Sequence, residues 1–204
     1  MVARYVADLI GALERNAERP AIGAGPVVMA FSEVLADTYR LAAGLDELGV
    51  RRGTGVACVT GENRPEALLV RLAVHVLGAR LTQVIVGPAT HGLDFVLRDS
   101  APVLVVHDTP VPDTGAARIG LAALLRLARA REGRPVPVRA REDDVARVTY
   151  TGGTTGRPKG VASTFAAMAD RTAARGTGGG PADSVHLARS PRAPPTRGGG
   201  RGHP

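Results

Sequence analysis

The chain has 204 residues, 44% hydrophobic and 22% charged, enough for one ordinary domain or two small ones with a true core. A single cysteine, Cys58, excludes an intramolecular disulfide and a cysteine-based zinc cluster, and 3% aromatics without tryptophan argue against a stacking platform for single-stranded nucleic acid. The net charge of +7 rests on 26 basic residues, all arginine except Lys159, a skew that fits a GC-rich coding bias better than a function.

The N-terminal residues lack a signal-peptide apolar stretch and a small-residue cleavage site, and no apolar run reaches the ~18 residues of a membrane span. The expectation is a soluble, reduced, cytoplasmic protein. Residues 5–19 place Val6, Leu9, Ile10, Leu13 and Ala17 on one helical face. Ser32 is the expected cap of a second helix running to about Leu48, with Gly49 at its end. Residues 55–60 read as a short buried strand. Asn63 is the expected cap of a third helix, with Pro65 in its first turn and Gly78 at its close.

Further strands are predicted over 81–86, 102–107 and 145–150, with a short helix over 92–100 and a Leu/Ala helix over 116–130 that turns arginines outward. Strands alternating with helices, apolar on both faces, predict an α/β fold: a mostly parallel sheet with flanking helices. Ligands of such sheets bind beyond the carboxyl ends of the strands.

From Gly176 the composition changes. The last 29 residues hold 8 of the 26 glycines and 5 of the 15 prolines, with only Val185 and Leu187 as large apolar residues. Their burial would contribute roughly 3–6 kcal/mol, far less than the cost of ordering the segment, so 176–204 is expected to be a disordered tail behind a body of 1–175. Its four arginines could hold RNA weakly, but a solvated low-complexity end is the plainer reading, and nucleic acid is not an expected partner.

The chemical signal follows the last predicted strand: Thr149-Tyr-Thr-Gly-Gly-Thr-Thr-Gly-Arg-Pro-Lys-Gly-Val161. Gly152, Gly153 and Gly156 remove the Cβ atoms that would keep an anion from the backbone, and successive amides can then curl around phosphate oxygens. Thr151, Thr154 and Thr155 add hydroxyl donors, Pro158 stiffens the loop, and Lys159 adds a compact ammonium that arginine does not mimic. Each hydrogen bond to a charged group contributes about 1.5–3 kcal/mol, so three or four suffice for a nucleotide site. The loop lacks the Gly-Lys-Ser/Thr ending of a Walker A motif and the G-x-G-x-x-G of a dinucleotide fold.

This segment resembles the phosphate-binding signature of the adenylate-forming (AMP-binding) superfamily, which includes acyl- and aryl-CoA synthetases, adenylation domains and luciferases. Phe31-Ser-Glu-Val-Leu, Leu41-Ala-Ala-Gly-Leu, Gly53-Thr-Gly-Val-Ala, Glu62-Asn-Arg-Pro-Glu-Ala, Leu72-Ala-Val-His-Val-Leu-Gly-Ala79 and Leu97-Arg-Asp-Ser-Ala-Pro are similar to its upstream segments, so the likeness covers about residues 5–170. It implies that Thr151, Gly152, Gly153, Thr154, Thr155, Gly156 and Lys159 contact the β- and γ-phosphates of ATP, with Mg²⁺ nearby. It also implies that a carboxylic acid attacks the α-phosphate and that the acyl group passes to CoA. The Tyr-Thr-Gly-Gly-Thr-Thr-Gly form leans toward acyl-CoA synthetases.

The adenine- and ribose-binding motifs, the acyl pocket and the C-terminal domain with its catalytic lysine do not follow the loop, so no catalytic residue is assigned. The expectation is an N-terminal portion, inactive alone, with truncation, a frameshift and supply of the missing half by another chain all open. A nucleotide-binding remnant is the alternative. The strand over 145–150 is then expected to be an uncovered sheet edge prone to aggregation. His75, His107 and Cys58 read as structural or solvated, and 142–144 as a solvated acidic loop rather than a metal site.

Overall fold

The computed structural model describes residues 1–24, 27–87, 92–151 and 157–176. Two helices open the helical layer: α1 (Arg4–Arg15), which buries Val6, Ile10 and Leu13, and α2 (Phe31–Glu47), which buries Val34, Leu41 and Leu45. Between them lies a hairpin that periodicity does not predict, β1 (Pro20–Ala24) paired antiparallel with β2 (Val27–Ala30). Ser32 does not cap α2. The Ala30 N–H donates to Glu33 Oε2 at 2.7 Å, while the Ser32 amide already donates to the Ala17 carbonyl at 2.9 Å. Gly49 closes the helix at φ +86°.

Strand β3 (Gly55–Thr60) is buried along its whole length, as its unbroken apolar run predicts. Helix α3 (Pro65–Val76) starts at the proline itself. A residue before proline is driven to extended backbone, and Arg64, at φ −123° and ψ 144°, takes the N-cap position instead of Asn63. Gly78 ends the turn at φ +70° and leads into β4 (Arg80–Ile85).

Helix α4 (Leu93–Ser100) and β5 (Leu104–His107) follow as predicted. Residues 116–130 are not one helix: Ala117–Gly120 forms β6, and only Leu121–Arg129 forms α5. Parallel pairing of β6 along the open edge of β5, with Ile119 opposite Val106, satisfies backbone groups that local Leu/Ala propensity cannot.

β7 (Val145–Thr151) turns back into β8 (Lys159–Thr164), followed by α6 (Phe165–Gly176). The sheet order is β6-β5-β3-β4-β7-β8, parallel except for the antiparallel β7–β8 pair. The expected edge position of residues 145–150 is therefore corrected: β8 pairs along β7 and is itself the outer strand, with Val161 54% exposed.

Val56 and Cys58 of β3 face a large core shared with α1, α2, α3, α5, Phe165 and Met168. Ala57 and Val59 face a smaller one closed by Leu97 of α4. Among the described residues no helix is long and apolar enough to cross a membrane. The tail expected over 176–204 lies outside the described residues beyond Gly176.

Candidate functional site

Because β5, β3, β4 and β7 run parallel, His107, Thr60, Ile85 and Thr151 end at one edge of the sheet. The Gly/Thr/Lys loop leaves from this edge. Thr151, the last residue of β7, stands directly opposite Lys159, the first of β8. Cross-strand partners in an antiparallel pair put their side chains on the same face. The Thr151 hydroxyl and the Lys159 ammonium therefore flank the loop on one side, both exposed. Lys159 has no ion pair with any described residue. Gly152, Gly153, Thr154, Thr155 and Gly156 lie outside the described residues.

The stem of this hairpin is fastened by contacts that sequence reasoning missed. Tyr150 pairs with Gly160, and its ring lies where a Cβ on Gly160 would come within 3.1 Å. The Tyr150 hydroxyl donates to Asp99 Oδ2 at 2.6 Å, at the end of α4. Burial, then the hydrogen bond to Asp99, pushes the phenol up to about 12. Pro158 approaches Gly92, which caps α4 at φ +77°. Arg80 holds the far end of α4 through the carbonyls of Ser100 at 3.0 Å and Ala101 at 3.3 Å. The loop is thus anchored on both strands to one short helix. No local signal could have found this, because Tyr150 and Asp99 are 51 residues apart.

At the neighbouring strand ends, Asp108 accepts from the Gly61 amide at 2.8 Å and pairs with Arg64 at 3.0 Å. Its charge is therefore balanced at that edge of the sheet. His107 Nδ1 lies 3.0 Å from the Thr109 carbonyl, and His75 is wholly buried, so both keep the structural roles read from sequence. Cys58 is buried, its thiol pushed up to about 12 by desolvation, which makes it inert.

The acidic run 142–144 is more than a solvated loop. Glu142 accepts from the Arg4 amide at 2.7 Å at the start of α1, and Asp144 takes both arms of Arg52 at 2.8 and 2.7 Å. Among the described residues no cluster of His, Cys, Asp and Glu could hold a metal. A separate cavity of about 280 Å³, lined by Ile22, Leu41, Leu69 and Leu125, takes nothing from β7 or β8.

The loop's flanks thus present a hydroxyl and an ammonium without an ion pair among the described residues, at the open edge of a parallel sheet. That arrangement suits a multiply charged anion. The sequence pattern of the AMP-binding enzyme family matches residues 11–192. A feruloyl-CoA synthase from Amycolatopsis sp is 32% identical over 69% of this chain and 29% of its own length. A 2-succinylbenzoate–CoA ligase from Geobacillus sp. (strain WCH70) is 31% identical over 72% of this chain and 30% of its own. The crystal structure of apo MatB from Rhodopseudomonas palustris superposes with a TM-score of 0.73 at 27% identity, covering 85% of this chain and 37% of that one. The chain thus spans about 30% of the length of the curated relatives it matches.

Proposed function

The chain belongs to the AMP-binding enzyme family, and on that premise we propose that it carries the triphosphate-gripping part of an ATP-dependent acid–CoA ligase. The pairing of Thr151 with Lys159 across the mouth of the loop, at the carboxyl end of β7, supports this reading most directly. The Lys159 ammonium would neutralise phosphate oxygens as a point charge, and the Thr151 hydroxyl would donate to them. Gly152, Gly153, Thr154, Thr155 and Gly156 would supply amides and hydroxyls around the β- and γ-phosphates, with Mg²⁺ arriving on the nucleotide rather than on a carboxylate cluster. In the complete reaction a carboxylate attacks the α-phosphorus and pyrophosphate leaves. The acyl group then passes to the thiol of CoA, releasing AMP. Holding the leaving pyrophosphate in place is the share of that chemistry this loop can supply.

A second reading, nucleotide binding without catalysis, is favoured by one observation. Lys159 is the sole lysine among these 204 residues, and its place in the loop gives it a holding role.

Titration calorimetry with ATP and Mg²⁺ tests the shared part of both readings. Binding that weakens about tenfold or more in Lys159→Ala is expected. Equal binding by both proteins would overturn the assignment. ATP–pyrophosphate exchange over a panel of carboxylic acids then separates the two: exchange supports the ligase, and binding without exchange supports the holder.

A further inference from the structure

On the helix-covered side, a cavity of about 230 Å³ opens where α1, α3, β7 and α6 meet. It is lined by Tyr5, Arg71, Arg147, Met168, Arg171 and Thr172, three arginines and no acid. Several guanidinium groups elsewhere meet carboxylates: Arg52 pairs with Asp144, Arg64 with Asp108, Arg98 with Asp94 and Arg118 with Asp113. Arg71, Arg147 and Arg171 have no ion pair with any described residue. The acid nearest in sequence, Asp170, is engaged by Arg4 at 2.9 Å on the surface.

Two of the three arginines are half-buried. The Nε atoms of Arg71 and Arg147 are shielded from solvent and have no hydrogen-bond partner among the described residues. Close by, His75 is wholly buried among Tyr5 and Phe165, with the Ala146 backbone as its polar neighbour. Burial first, then the charges of Arg71 and Arg147, keep its ring neutral, so it does not relieve the cavity's unmet donors. Shielded donors of like charge around one cavity are unfavourable unless a counter-charge joins them. A water occupies about 30 Å³ of liquid volume, so this space admits a tetrahedral anion with some of its hydration.

We propose that this cavity is a binding site for a phosphate-class dianion, either inorganic phosphate or a phosphate monoester. Arg71 and Arg147 donate from the half-buried wall and Arg171 from the exposed rim, with the Tyr5 hydroxyl as a neutral donor. Thr172 takes no part, because its hydroxyl donates to the Met168 carbonyl at 2.9 Å. Arginine forks match the oxygen spacing of phosphate, and three of them call for more charge than one carboxylate brings. The site shares no residue with the loop, so it stands whether or not Lys159 binds a nucleotide. An anion there joins α6 to α1, α3 and β7, which ties down the helix that follows the loop hairpin.

Thermal unfolding of the full chain in sodium phosphate, in glycerol phosphate and in sodium chloride at matched ionic strength tests the proposal, with ³¹P line broadening as a second readout. Both phosphates are expected to raise Tm above chloride; a rise with the free ion alone assigns the site to inorganic phosphate. Arg171→Gln, on the solvent-exposed rim where folding is not at risk, should weaken the effect about tenfold in phosphate concentration. Arg71→Gln with Arg147→Gln should abolish the part of the effect that depends on Arg171, and Lys159→Ala should leave that part in place. Equal Tm in phosphate and chloride, or a rise that Lys159→Ala removes and Arg171→Gln keeps, would overturn the site.

Discussion

The Tyr150 hydroxyl donates a 2.6 Å hydrogen bond to Asp99 Oδ2, binding the strand that enters the loop to the end of α4. The acceptor is charged, but both groups are reached by water, which places the bond at the low end of its class. Tyr150→Phe should lower unfolding free energy by about 1 kcal/mol in urea denaturation. The phenol's folded pKa is raised above the ordinary tyrosine value, to about 12. The stability it contributes is therefore whole below pH 10 and lost as pH climbs toward 12. The phenylalanine variant should show a shallower decline over that window. Identical profiles for the two proteins would remove Tyr150 from the hairpin's anchoring.

Gly160 is explained by the ring that crosses it. A Cβ there would meet Tyr150 Cζ and Val148 Cγ1, each at 3.1 Å, and the ring cannot swing away without giving up Asp99. Gly160→Ala should cost about 1–2 kcal/mol despite the exposed position. Combining it with Tyr150→Ala removes the ring's share of the obstruction and leaves that of Val148, so the double variant should cost less than the sum of the two single variants in a double-mutant cycle. Strict additivity would mean the two residues do not press on each other.

The strands that fill the interior were legible because burial on both faces leaves an unbroken apolar run: Val56 and Cys58 serve one core and Ala57 and Val59 the other. What stayed hidden has its cause in distant partners. β8 is built from small and polar residues, most of them exposed, and its strand character comes from pairing with β7. β6 sits in a segment whose composition favours helix until β5 claims it. Ser32 and Asn63 are good capping residues on paper. They lost to the extended backbone Pro65 imposes on Arg64 and to the reach of Glu33. At the candidate site the sequence supplies an expectation for each residue of the Gly/Thr/Lys loop, and the structure places two of them, Thr151 and Lys159, opposite each other. That its stem is an antiparallel hairpin clamped to α4 could not be read there, since Asp99 and Tyr150 meet only in the fold.

Gly78 and Gly53 both adopt left-handed backbone, at φ +70° and +80°, yet they should not respond alike to substitution. A Cβ on Gly78 would lie 2.9 Å from the Ala140 amide nitrogen and 3.0 Å from its Cα, while one on Gly53 meets nothing within 4 Å. Gly53→Ala therefore bears only the conformational cost, about 1 kcal/mol. Gly78→Ala adds a collision with backbone that is itself held, since the Arg139 amide donates to the Val76 carbonyl at 2.8 Å. It should cost about 2–4 kcal/mol and lower Tm by roughly 5–15 °C. Comparable melting of the two variants would show that the 139–140 segment yields freely.

His75 contributes to the protein's response to acid. It is wholly buried in an edge-to-face arrangement with Tyr5 and Phe165, and desolvation, reinforced by Arg71 and Arg147, depresses its pKa to about 3. The unfolded chain binds a proton on this histidine below about pH 6.5, where the folded chain does not. Its contribution is therefore complete above about pH 6.5 and is lost as pH falls toward 3. His75→Phe has no proton to take up, so the slope of stability against pH should flatten between about 6.5 and 3, even if altered packing shifts the whole curve. The measurement is a set of urea titrations across that range on both proteins. Parallel curves would mean that the folded protein already accommodates a charged His75.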